Sequence, residues 1–173
     1  MSDAALATTD DADRATLAAR ARDLARPLAE VGHTDAALEL LAVDIAGERI
    51  ALPLEAIVHV HRATEVTPVP GAPARVVGLV AWRGRVLTVV DLAERGGNVE
   101  IGEQSRVLVL GERRAAFGLL VDAVDDVVSV DAADVGPIDD AAPERAALFR
   151  GVTGDATLVA DGGAIIERFT RSH

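Results

Sequence analysis

Gly47-Glu48-Arg49-Ile50-Ala51-Leu52-Pro53-Leu54-Glu55-Ala56-Ile57 has a counterpart further along the chain. Gly111-Glu112-Arg113 opens the second copy, which runs through Phe117-Gly118-Leu119-Leu120 to Val121-Asp122-Ala123-Val124. Leu54-Glu55-Ala56-Ile57 and Val121-Asp122-Ala123-Val124 agree type for type: apolar, acid, Ala, branched apolar. Each copy continues into an apolar segment carrying a glycine, Gly78-Leu79-Val80 in one and Gly151-Val152-Thr153 in the other. Each closes on an aspartate, Leu87-Thr88-Val89-Val90-Asp91 and Leu158-Val159-Ala160-Asp161. The offset between copies is 64 residues at Gly47/Gly111 and 73 at Gly78/Gly151, so the copies differ in loops and agree in strands. The chain reads as two similar small β units made to pack against each other.

Alternation supports that packing. In Val86-Leu87-Thr88-Val89-Val90, and again in Val107-Leu108-Val109-Leu110, both alternating faces are apolar. A strand with one wet face shows one polar side, so these strands are expected to be covered on both. The simplest cover for the outer face of one unit is the other unit.

The remaining chain arranges itself around these strands. Residues 1–12 read as an acidic, disordered tail. Residues 13–32 read as a helix, with Leu17, Ala21, Leu24 and Leu28 on one face and Gly32 as its stop. Strands are expected over 38–45, 49–54, 57–62, 76–82, 85–91, 106–110, 115–121, 124–130 and 157–160. The first pair is joined by the turn Ala46-Gly47-Glu48 and the pair over 76–91 by Arg83-Gly84. Thr67-Pro68-Val69-Pro70-Gly71-Ala72-Pro73 should be an exposed connector that excludes ladder pairing, because proline has no N–H to give. Residues 93–104 form the longest loop and mark the boundary between halves of 37–95 and 105–171, with strand exchange between them open. Short helices are expected over 143–148 and 164–171.

Composition narrows the function. Seventeen basic residues, all Arg, stand against 28 acidic ones, a net charge of −11. That surface repels phosphate backbones and argues against nucleic-acid binding. The absence of Cys removes disulfides and thiolate metal sites. No export signal and no apolar run of about 20 residues is present, so the expected address is the cytoplasm, without direct membrane insertion.

Candidate chemistry is sparse. His59-Val60-His61 with Glu65 resembles a first cupin metal motif, but the only other histidines are His33 and His173, far along the chain. Asp91 and Asp161, with Asp122, Asp125 and Asp126, suggest paired carboxylates, yet an aspartate after an apolar strand usually binds the amides of the next turn. No phosphate-cradling loop or nucleophile elbow is written in the chain. Arg83-Gly84 places a guanidinium at a hairpin tip on an acidic protein, where a planar fork suits partner carboxylates.

The order of these segments resembles a family. Ile57-Val58-His59-Val60, the proline connector, and the run from Pro73 through Gly78, Trp82-Arg83-Gly84 and Asp91-Leu92 are similar to the CheW-like coupling proteins of bacterial chemosensory arrays. Gly118 through Val127 looks like that family's second signature, and the resemblance spans residues 37–169. Arg20-Ala21-Arg22-Asp23-Leu24-Ala25 looks like an N-terminal helix of some members.

The resemblance implies a mainly β fold, two five-stranded SH3-like barrels around a shared apolar core. It implies a non-catalytic adaptor, without cofactor, between a chemoreceptor's cytoplasmic tip and the regulatory domain of the histidine kinase CheA. Carried over residue by residue, its protein-binding positions are Ile57, His59, Val60, Arg83 and Gly84, with Trp82 beside them. Two departures stand out: His59 replaces the family's glutamate, and Ala81-Trp82 replaces Asn-Leu. Both bear on partner choice, and output to surface motility is one consequence. Two other readings stay open: a metal-dependent β-barrel enzyme using His59, His61 and Glu65, and a regulatory module that binds only the kinase.

Overall fold

The computed structural model describes residues 37–96, 99–138 and 142–171. The helix expected over 13–32, the tail before it, His33 and His173 lie outside them. The chain is mainly β, in two sheets. Its strands are β1 (Ala37–Ile45), β2 (Glu48–Pro53), β3 (Ile57–Arg62), β4 (Thr67–Pro68), β5 (Val76–Trp82) and β6 (Arg85–Val90). Then follow β7 (Arg106–Leu110), β8 (Phe117–Val121), β9 (Ala123–Asp131), β10 (Phe149–Val152) and β11 (Leu158–Ala160). Two helices, α1 (Pro143–Ala146) and α2 (Gly162–Thr170), complete the elements.

The sheet orders carry the repeat. One sheet runs β10-β11-β2-β1-β9 and the other β3-β7-β8-β6-β5-β4. Each copy gives its opening hairpin to one sheet and its later strands to the other. β3 leaves β2 to pair antiparallel with β7, and β9 leaves β8 to pair antiparallel with β1. The parallel pairs match as well, β11 on β2 and β6 on β8.

Both sheets close through the same device. After β3, a 3-10 turn at Ala63–Glu65 carries the chain to β4, which pairs with β5. After β9, a 3-10 turn at Ala132–Asp134 brings Gly136 to a bridge with Val152 in β10. The expectation that the proline connector stays out of the ladder is therefore corrected, since Thr67 pairs with Leu79 and Pro68 with Gly78. Pro68 is tolerated because it sits on the edge, where its missing N–H interrupts nothing.

Closure explains the repeated glycine. A Cβ on Gly78 would lie 2.3 Å from the Thr67 carbonyl oxygen, and one on Gly151 2.2 Å from that of Gly136. Only a residue without a side chain lets the closing strand approach this far.

The apolar residues divide into three layers, and alternation decides the assignment. Val107 and Val109 point into the core of the β3–β8 barrel with Val80, Leu87, Val89 and Leu120. Leu108 and Leu110 point the other way, into a layer shared with Leu41, Val43, Ile50 and Leu52 of the second barrel. Leu40, Ala51 and Val159 fill that second barrel's smaller interior. Helix α2, capped where Asp161 accepts a hydrogen bond from the Ala164 N–H at 2.9 Å, buries Ile165 and Phe169 in the shared layer. Cover is incomplete on β6: Val90 enters the shared layer, but Val86 on the same face is 69% exposed.

A polar clasp joins the strand ends. Asp91, fully buried, accepts hydrogen bonds from the N–H groups of Ala93 and Arg95 and from the Arg95 side chain at 2.8 Å. Arg95 also reaches Asp122 at 2.8 Å, and Asp122 accepts the Ala46 N–H at 2.7 Å. Burial pushes the Asp91 carboxyl up, but the Arg95 side chain and the two backbone N–H groups outweigh it and hold it below the usual carboxylate range.

Two predictions follow from closure and clasp. Gly78→Ala and Gly151→Ala should each destabilise by about 2 kcal/mol in urea unfolding, as overpacking does. Asp91→Asn should cost about 2 kcal/mol at neutral pH, the scale for hydrogen bonds to a charged group. Folding lowers the Asp91 pKa from 3.8, so its charge stabilises above that range and the contribution is lost as the pH falls through the folded value. The gap between native protein and variant should therefore narrow in acid.

Candidate partner-binding surface

The tip of the β5–β6 hairpin is set by its loop length. Trp82 pairs with Arg85, leaving Arg83 and Gly84 as a two-residue loop. Such a loop matches the strand twist when both residues have positive φ, and here they are 46° and 73°. Gly84 adopts this freely; Arg83 does so at a cost of about 1 kcal/mol. Ala46-Gly47, the tip of the β1–β2 hairpin, has the same geometry at 53° and 81°. The backbone strain is thus common to two tips, and the side chains distinguish this one.

Trp82 is half-buried against the core of the β3–β8 barrel, which fixes its ring. The Arg83 guanidinium carbon lies 4.8 Å from that ring's centroid. This cation–π contact is worth about 0.5–1 kcal/mol at an exposed site and aims the charge outward.

β3 brings a second group to the same rim. A bulge between Ile57 and His59 shifts the pairing with β7, so that His59 faces Val109 and His61 faces Val107. Residues directly opposite share a face, which places both imidazoles on the side where Val107 and Val109 enter the barrel. The His59 ring lies 6.2 Å from Trp82 and 6.2 Å from His61. His59, Trp82, Arg83 and Gly84 therefore meet at one rim.

Ile57 does not join them. It is half-buried and packs against the shared layer. Val60, opposite Leu108, presents the other face of β3 and is 42% exposed, with Val58 beside it at 41%. Sequence reasoning passed over Val58. Its only signal was the alternation of Val58-His59-Val60-His61, which puts two valines on the face opposite the histidines.

The other carboxylates have structural tasks. Asp91 and Asp122 form the clasp, and Asp161 caps α2 and lies 3.7 Å from Arg150. Asp125 pairs with Arg49 at 3.2 Å. His61 Nε2 lies 3.2 Å from Glu65 Oε2. His59 is not drawn into that pair, and no three acidic or imidazole groups converge as metal ligands among the described residues. No helix among them is long and apolar enough to cross a membrane.

Residues 39–168 match the CheW-like domain family. The chain is 34% identical over 122 residues to the chemotaxis protein CheW of Rhizobium meliloti (strain 1021), covering 69% of this chain and 79% of that one. It is 30% identical over 101 residues to protein FrzA of Myxococcus xanthus, covering 57% and 63%. In three dimensions it is similar to the scaffolding protein TtCheW of Thermoanaerobacter tengcongensis, with a TM-score of 0.62 and 22% identity over 75% of this chain and 88% of that one. The match takes in both barrels and the shared layer between them, and the chain belongs to the CheW-like family.

Proposed function

We propose that this protein is a non-catalytic cytoplasmic adaptor that couples chemoreceptors to the histidine kinase CheA, at a membrane-associated or a cytoplasmic chemosensory array. Family membership supports the role in chemosensory signalling. The rim carries the finer reading: a half-buried indole, with an exposed guanidinium resting on it at 4.8 Å and an exposed imidazole 6.2 Å away, on a chain of net charge −11. Aromatic and Arg side chains of this kind anchor interfaces, with the ring supplying area and the fork pairing with carboxylates. Val58 and Val60 extend the surface with apolar contact on the other face of β3.

The rim's tasks divide by chemistry. Arg83 is assigned to a partner carboxylate, Trp82 holds it in place, and Gly84 permits the turn. His59 offers an imidazole, with a ring N–H that can donate and an aromatic face, where a glutamate would offer only anionic acceptor oxygens. Partner choice should differ accordingly from that of a glutamate-bearing relative.

Arg83→Glu should abolish capture of the kinase regulatory domain or of a receptor tip, leaving the thermal midpoint nearly unchanged. A large fall in the midpoint would make Arg83 structural instead. Arg83→Asn, which suits the left-handed position, should match or raise the midpoint and still lose at least tenfold in affinity, about 1.4 kcal/mol.

A further inference from the structure

Val86 marks a second surface. It projects from β6 on the side away from the barrel core, where the shared layer ends and α2 begins. The depression beside it has a volume of 340 Å³ and a floor that includes Val90, Phe117 and Phe169, with the two rings 5.5 Å apart. Ala116 and Thr170 line this depression and also the next one, 600 Å³, which runs past Ile166 along α2. The two depressions adjoin at Ala116 and Thr170 and count as one groove, with Val90, Phe117, Phe169 and Ile166 as its apolar lining.

The walls are basic. Arg75 and Arg85 stand over the first part, and Arg113, Arg114 and Arg171 over the second. Glu112 and Glu167 also line it, Glu167 paired with Arg171, and a further depression beyond Gly163 and Ile166 adds Glu55 and Asp161. Arg85 is steadied by donating to the Ala115 carbonyl at 3.1 Å. Arg113 and Arg114, both exposed on the β7–β8 loop, make no ion pair among the described residues. On a chain with 17 basic and 28 acidic residues, five arginines around one apolar groove reverse the local sign.

We propose that this groove docks an acidic amphipathic helix of a partner protein. Its apolar stripe would cover Val86, Phe169 and Ile166, and its carboxylates would pair with Arg75, Arg113 and Arg114. Two observations select this occupant. The groove is elongated along α2 and floored by separated apolar side chains, which suits a helix anchored at successive turns. The guanidinium walls favour carboxylates and repel a basic helix. The surface belongs to β6, the β7–β8 loop and α2, and the reading does not rest on the role given to the Arg83 rim.

The test uses the full chain and a labelled peptide of about 18 residues, long enough for several helical turns, with Leu on one face and Glu on the other. Fluorescence anisotropy should show saturable binding that weakens with salt, and a peptide with Lys in place of Glu should not bind. Arg113→Glu combined with Arg114→Glu should weaken binding at least fivefold, and Val86→Asp should do the same. All three sites are exposed, so the thermal midpoint should stay unchanged. A smaller loss in either variant overturns the proposal, as does equal binding of the Lys peptide. Absence of peptide binding together with arginine-dependent binding to phosphatidylglycerol vesicles would assign the groove to a membrane and also overturn it.

Discussion

Strands β1, β2, β7 and β8 are apolar on both faces, and this constrains the whole molecule. A single small barrel can bury only its inner face; the outer face then needs a second apolar surface of matching shape. Here the two opening hairpins supply each other with that surface. Leu41, Val43, Ile50 and Leu52 meet Leu108, Leu110, Leu119 and Val121 in one layer, which α2 caps with Ile165 and Phe169. The largest of the three apolar clusters thus lies between the barrels, and each barrel's stability is tied to the other's presence.

The exchanged strands and the clasp reinforce the same coupling by different physics. β3 and β9 cross between sheets, so hydrogen-bond ladders as well as apolar contact span the pair. Arg95 lies beyond the last strand of the first copy and bonds to Asp91 behind it and Asp122 in the second copy. Asp122 in turn holds the Ala46 turn of the first hairpin. A buried carboxylate is tolerated here because every neighbour is a donor. A surface role for Asp91 is excluded by its burial, whatever its resemblance to a catalytic pair.

Much of this was legible in the residues. Type-for-type agreement of Leu54-Glu55-Ala56-Ile57 with Val121-Asp122-Ala123-Val124 pointed to two units, and two-faced strands pointed to their packing. Strand exchange was harder to read, because alternation reports which face is buried but not which strand lies alongside. The pairing of Thr67-Pro68 was hidden by prolines whose edge position no local pattern announces. Exposure of Val86 was also invisible, since Val86 and Val90 look alike in sequence and only the end of the shared layer separates them. At the rim, Trp82 and Arg83 are neighbours in a tight loop, so their contact could be expected. The approach of His59 depends on a bulge at Val58 and had no local signal.

Strand exchange also says something about origin. Each copy keeps only part of each barrel, and its opening hairpin closes with strands from the other copy. One copy alone would have unpaired edges and an uncovered apolar face. Two identical copies, however, could rebuild the whole arrangement by reciprocal swapping. Fusing such a swapped pair head to tail would give this same strand order, with each half free to differ: one hairpin tip carries Trp82-Arg83-Gly84, while its counterpart at Thr153–Thr157 carries Asp155.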